Sequence, residues 1–398
     1  VQPRVAHGQV LERHLGQEVG QHRAHERDAL GGRVDPQAEA RREQHERRAD
    51  RPRLGRARDR VERRALARPA HEAAEQLRQA VRNARPSTTI LLAPGEYLGG
   101  IYLENVRGEP GKPITIAGQD AQKPPVIRGG GTGLHISRAA YLELRGLVIT
   151  GARYNGLNID DGGQVDSPTH HIVLKDIAVR DIGPQGNCDG IKLSGVTDFR
   201  VEGCTVEQWG DGGQGIDMVG CHHGLISGNY FHDPVASGVQ AKGGSADILI
   251  HGNLFADIPG RAVNAGGSTG LEFFRPLDAP YEAARIRVLG NVFVRNGAAS
   301  GASIAYVGCD ACVFAHNTVV EPKTWVARIL QESSGERFVP SRQGLFVNNL
   351  IVLRMADLRG FVNIGPGTAP ETFTFGSNLW YALDRDPGWS GPALGGGI

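Results

Sequence analysis

The 398-residue chain carries 44 Lys+Arg against 43 Asp+Glu and 56 glycines, about twice the usual glycine share. No run of eighteen apolar residues occurs, which excludes a membrane-spanning helix, and the glycines keep no three-residue period, which excludes a collagen-like chain. The near-zero net charge conceals an asymmetry: residues 1–85 sum to +7 and the remainder to −6, so two kinds of sequence are joined.

Residues 1–70 are built almost entirely from Arg, Ala, Glu, Gln, His, Gly, Leu, Val, Asp and Pro; the first Ser is Ser87, the first Ile is Ile90 and the first Lys is Lys112. Such a segment lacks the β-branched and aromatic residues that build a core, so it is expected to be disordered. GC-rich DNA translated from a start too far upstream, or out of frame, gives the same bias, and would displace a secretion signal. A nucleic-acid-binding arm is disfavoured, because acids are interspersed and Lys is absent.

From Ala70 the character changes. Ala74, Leu77, Ala80 and Val81 share one face at helical spacing, which predicts a short capping helix ending before Pro86. Thr89–Leu92, closed by Pro94-Gly95, and Pro113–Gly118 read as strands. Beyond Gly130 the chain repeats: Gly190-Ile191-Lys192-Leu193, Gly215-Ile216-Asp217-Met218, Gly238-Val239-Gln240-Ala241 and Ala262-Val263-Asn264-Ala265 correspond. Each is followed by a second short strand and a turn, placing Cys204, Asn229, Asn253, Asn291, Asn317, Asn349 and Asn378 in one column. Asn229 and Asn253 lie 24 residues apart, and Asn253 and Asn291 lie 38 apart, one repeat plus an insertion. Short strands at this period with no helix between them predict a solenoid of β-coils. The stacked Asn is expected to tolerate a left-handed turn and to bond the next coil.

This pattern resembles the right-handed parallel β-helix of the pectate-lyase-like superfamily. The fold class is therefore all-β, a single-stranded parallel β-helix over residues 71–382. Residues 383–398 form an irregular tail, too glycine-rich to read as a cap and possible to read as truncated. The resemblance implies an exported or surface protein, monomeric, whose partner is a polysaccharide and not a nucleic acid.

Alternation along the first strand of each coil points Lys192, Asp217, Gln240 and Asn264 outward in one column, with Lys242 in a second. In the resembled superfamily this sheet and its bordering loops form the glycan groove. The longest insertion, Gly266 to Ala284, contains Phe273, Phe274, Arg275 and Tyr281; these suit a sugar ring bearing a carboxylate, or pack the loop onto the coil. Ser237–Gly244 is similar to the strand of the chondroitinase B and alginate lyase family that carries its basic lysine, which puts Lys242 in that role. Here Ser237 stands at that family's metal-binding Glu, and Ala265-Gly266 where its arginine lies.

The lyase reading makes Lys242 the base that takes the proton α to a uronate carboxylate, with Arg261 or Arg275 holding that carboxylate. His223 is the next base, and Ca2+ is admitted as an added neutralising cation without being required. Rate is then expected to rise with pH, since the amine must be uncharged to act. Lys192, Asp217, Gln240 and Asn264 become substrate-binding positions. A second reading is a non-catalytic glycan-binding or adhesion module. A third is a glycoside hydrolase: Asn187-Cys188-Asp189-Gly190 resembles the Asn-Thr-Asp-Gly motif of the polygalacturonase family, but Gly213 and Gln214 occupy the positions of its adjacent Asp pair. Cys309 and Cys312 are expected to form a local disulfide, and Cys204 to be a buried thiol.

Overall fold

The computed structural model describes residues 54–386 and 388–394, with side chains described from residue 69 onward. The chain divides into two units, residues 1–62 and 63–398, and of the first only the helical residues 54–62 are described. Residues 1–53 of the segment expected to be disordered lie outside the described residues.

The helix Leu54–Asn83 is longer than the short cap expected from Ala70. The reason is compositional: Arg, Ala, Leu and Glu build no core, but they are strong helix formers. Ala70, Ala74, Leu77 and Val81 are buried, the last three within the same apolar cluster as Leu92, Tyr97 and Ile101 of the first coil. Among the described residues no helix is long and apolar enough to cross a membrane.

The rest is a right-handed parallel β-helix. Three parallel sheets of ten, eleven and fourteen strands run its length, most coils giving one main strand to each. On the ten-stranded sheet Ile191, Ile216, Val239 and Val263 stack in register and are buried, as alternation requires. Inside, Phe231, Phe255 and Phe293 stack at 4.8 and 4.9 Å, and Phe314 on Phe346 at 5.1 Å, so rings fill the core of the later coils, where Ile127, Ile149, Val179 and Val206 fill the earlier ones.

The Asn column is a continuous ladder. Asn253 Oδ1 accepts the Asn229 backbone N–H at 2.9 Å, while Asn253 Nδ2 donates to Ile226 O and to Asn291 Oδ1, both at 2.9 Å. The pattern repeats at Asn291, Asn317 and Asn349, and Cys204 ends it by donating its N–H to Asn229 Oδ1. The left-handed backbone falls one residue earlier than expected, at Gly228, Gly252, Gly290, His316, Asn348 and Ser377. The Asn side chain therefore satisfies buried turn amides, and its neighbour makes the turn. Cys309 and Cys312 are paired, and Cys204 is buried.

The C-terminal tail does more than its composition suggested. Trp389 lies on Phe361 at 6.0 Å and, with Leu394, packs against the end of the core.

Candidate functional site

The outer face of the ten-stranded sheet carries Asn158, Lys192, Asp217, Gln240 and Asn264 in register, beside a column of Asp160, Ser194, Val219 and Lys242. At its centre Lys192 Nζ donates to Asp217 and lies 3.4 Å from Asp189 Oδ2. Lys242 Nζ approaches the same Asp217 Oδ2 at 3.9 Å. Both carboxylates are sealed, with side chains only 1% exposed, whereas Lys192 and Lys242 keep 19% and 20%. The ammonium groups thus form the surface and the acids its underlayer.

This arrangement splits the two acids. Burial pushes Asp189 up, and the adjacent Asp217 charge adds to it, outweighing the pull of Lys192. Burial would also raise Asp217, but Lys192 and Lys242 overcome it and hold the carboxyl below its ordinary value. Partial desolvation would lower Lys192, but the two flanking carboxylates overcome it and hold the amine well above its ordinary range. Asp217 Oδ1 has no hydrogen-bond partner.

Toward the N-terminal end of the same face, Asp160 gathers a second polar group. His135 Nε2 lies 2.6 Å from its carboxylate, and Ser137 Oγ, Asn158 Nδ2 and the Gly162 N–H all donate to it. Burial alone would raise Asp160, but the hydrogen bonds from His135 and Ser137 prevail and hold it low. The exposed Tyr102 ring meets His135 edge-on at 4.9 Å.

Several expected site residues have other work. Arg275 is already paired within the protein: its Nε donates to the nearly buried Asp161 at 2.9 Å, strapping the insertion back across earlier coils. His223 does not accompany Lys242. It is exposed at a left-handed position on the fourteen-stranded sheet, because the turn at Gly220 carries the chain around the corner. Gln240 and Asn264 are covered rather than presented, each donating to Gly266 O where the insertion departs. Asp217 is a buried counter-ion instead of an exposed subsite group. Arg261 remains on the face, donating to Glu332 at 2.6 Å and to Asn264 Oδ1 at 3.2 Å. Of the loop aromatics, Phe274 is buried beneath Arg337 and against Phe338, so it packs the loop, while Phe273 is exposed.

Sequence reasoning missed Glu282. It is fully buried and accepts the Gly243 N–H at 2.8 Å, the Thr269 N–H and hydroxyl at 3.0 and 2.8 Å, and the Ser333 hydroxyl. One carboxylate thus fixes the turn after Lys242, the insertion and a later loop. For metals, the space between Asp189 and Asp217 already holds the Lys192 ammonium, which a Ca2+ ion would have to displace. Elsewhere Glu207, His232 and Asp233 offer donors within 4.8 Å of one another, though His232 spends one ring nitrogen on each acid.

A family model described as "right handed beta helix region" matches residues 99–271 and 167–337, together more than half of the chain. The chain belongs to this family. No curated protein matches it. Among solved structures, this β-helix protein is similar to an alginate lyase from a Paenibacillus species, at 19% identity and TM-score 0.51, covering 78% of this chain and 96% of that one. It is similar also to a lacto-N-biosidase from Eubacterium ramulus, at 13% identity and TM-score 0.52, covering 77% of this chain and 64% of that one. Those names denote different chemistries on one fold, so the likeness shows architecture and leaves function to the site.

Proposed function

We propose that this β-helix protein is exported, binds an acidic, uronate-containing glycan along the outer face of the ten-stranded sheet and cleaves it by β-elimination. The observation that carries this reading is the layering at the centre of the face: Lys192 and Lys242 meet solvent above carboxylates that are sealed from it. A polyanion laid there encounters cations first. Arg261 lies one coil beyond Lys242 and Lys192 two coils before it, so uronate carboxylates on either side of the reacting sugar have a partner.

Lys192 is fixed between two carboxylates and cannot serve as base; Lys242, with a single longer approach to Asp217, is the amine available. Its uncharged form takes the proton α to the carboxylate, the bond from the β carbon to the glycosidic oxygen breaks, and a carbon–carbon double bond forms. The departing oxygen takes a proton from water.

One observation favours a second reading. Asp189 held high and Asp217 held low are the acid and base types that glycoside hydrolysis requires. Their burial sets this reading behind the first. One experiment separates them: incubate the protein with alginate, pectate, chondroitin and heparin, with and without Ca2+, and follow both the ultraviolet absorbance of unsaturated ends and the release of reducing ends. Elimination gives both signals, and Lys242→Ala abolishes them. Reducing ends without absorbance, lost in Asp189→Asn and kept in Lys242→Ala, would establish the hydrolase. Glycan binding with neither signal would leave a binding module.

A further inference from the structure

The corner where each coil enters the fourteen-stranded sheet carries a feature that the glycan reading does not use. In a strand, successive side chains face opposite ways. In Thr169–Lys175 this alternation is interrupted at His171, whose φ of 55° is left-handed. Thr169 and Ile172 are both buried, so His170 and His171, between them, both face outward. Their Nδ1 atoms are 2.9 Å apart. Tyr141, at the equivalent corner one coil earlier, stacks on His171 at 4.3 Å and meets His170 edge-on at 5.2 Å, which fixes both rings. Asp198 occupies the same left-handed corner one coil later, next to Thr197, which is in register with His170.

Two imidazole nitrogens at this separation share one proton, the N–H of one ring pointing at the lone pair of the other. A shift of that proton to the same ring's Nε2 leaves both Nδ1 lone pairs free to face an ion in its place. We propose that His170 and His171 form a surface site for a divalent transition-metal ion of square-planar or octahedral preference, bound through both Nδ1 atoms, with Asp198 supplying negative charge from the adjacent coil. The geometry selects the ion class. Nitrogens 2.9 Å apart, each about 2.0–2.1 Å from a common ion, subtend roughly 90° at the metal. That is the cis angle of Cu2+ and Ni2+ sites, and is well short of the tetrahedral angle of Zn2+.

The test uses the untagged full-length chain titrated with Cu2+, because a purification tag would supply competing histidines. Binding is followed by calorimetry and by electron paramagnetic resonance, which reads the number of coordinating nitrogens. His171→Asn tolerates the left-handed backbone, and His170→Phe keeps a ring against Tyr141, so both variants retain the local packing. Each is expected to weaken the site at least tenfold, and the double variant to lose one bound equivalent together with the two-nitrogen signal. Asp198→Asn weakens it less. A double variant that binds the same equivalents at the same affinity, with an unchanged resonance spectrum, would overturn the proposal. Tighter binding of Zn2+ than of Ni2+ at this site would overturn the assigned ion class.

Discussion

Replacing Asp217 with Asn tests whether the centre of the face is a buried counter-ion cluster. Asp217 is sealed and is approached by two ammonium groups, so removing its charge strands both. Breaking a buried ion pair from one side costs about 3–5 kcal/mol. Two features reduce this to about 2–3 kcal/mol. Lys192 and Lys242 retain about a fifth of their exposure and regain water, and Asp189, at 3.4 Å, ionises to take over Lys192 once its charged neighbour is gone. For so long a coil this corresponds to a melting point lower by about 4–6 °C, read by circular dichroism. The pH dependence supplies the sign. Asp217 is held low in the folded protein, so its stabilisation is present above the ordinary carboxylate value of 3.8 and is lost as pH falls through the depressed value. Asp189 is held high, so its contribution is fully present below that same value and declines as pH rises through the raised one. The gap between Asp217→Asn and wild type should therefore be widest near neutral pH and close in acid. A variant that melts with the wild type at pH 7, or a gap that widens on acidification, would refute the counter-ion assignment.

Asn253→Ala removes both acceptor and donor from the middle of the ladder and leaves buried turn groups unsatisfied, so a loss of about 3 kcal/mol is expected in chemical denaturation; Asn378→Ala, at the ladder's end, should cost about 1 kcal/mol. Arg275→Met leaves the nearly buried Asp161 without its partner and should release the insertion, measured as faster limited proteolysis between residues 266 and 284 with cleavage elsewhere unchanged. Deleting residues 1–53 is expected to leave the melting point unaltered, whereas Leu77→Asp, which places a charge in the cluster shared with the first coil, should lower it clearly.

The repeat was legible because a solenoid applies the same local rule in every coil. Ile191, Ile216, Val239 and Val263 answer to one environment, so periodicity alone assigns them, and Asn229 through Asn378 answer to another. The helical residues before Ala70 were not legible for the opposite reason. Composition speaks to whether a segment can build a core, but Arg, Ala and Glu without a core still favour a helix. At the end of the solenoid the described tail is irregular in backbone, and one aromatic residue, Trp389, adds a packing contact that glycine-rich composition does not announce.

The site was harder to read, because outward residues on a β-helix are governed by what covers them. Alternation correctly turned Gln240 and Asn264 away from the core, yet both are buried under Gly266, where the longest insertion begins. Lys192 over Asp217 was legible as a cross-strand pair and would be worth little if exposed. Asp189 changes its meaning: a second sealed carboxylate beneath the same ammonium turns a surface pair into a buried cluster. Its signal was present in the i, i+3 spacing of Asp189 and Lys192, which lies outside the strand's alternation. Arg275 and Asp161 lie 114 residues apart, and no local pattern connects them. Each coil places a given outward position about 4.8 Å from its equivalents above and below. The chemistry of the face is therefore set by axial neighbours drawn from separate repeats, and the sequence reveals it only where register is unbroken. Between Asn158 and Asn264 the register of the column was read correctly; what was not legible is the cover that Gly266 lays over Gln240 and Asn264, and the carboxylate that Arg275 reaches.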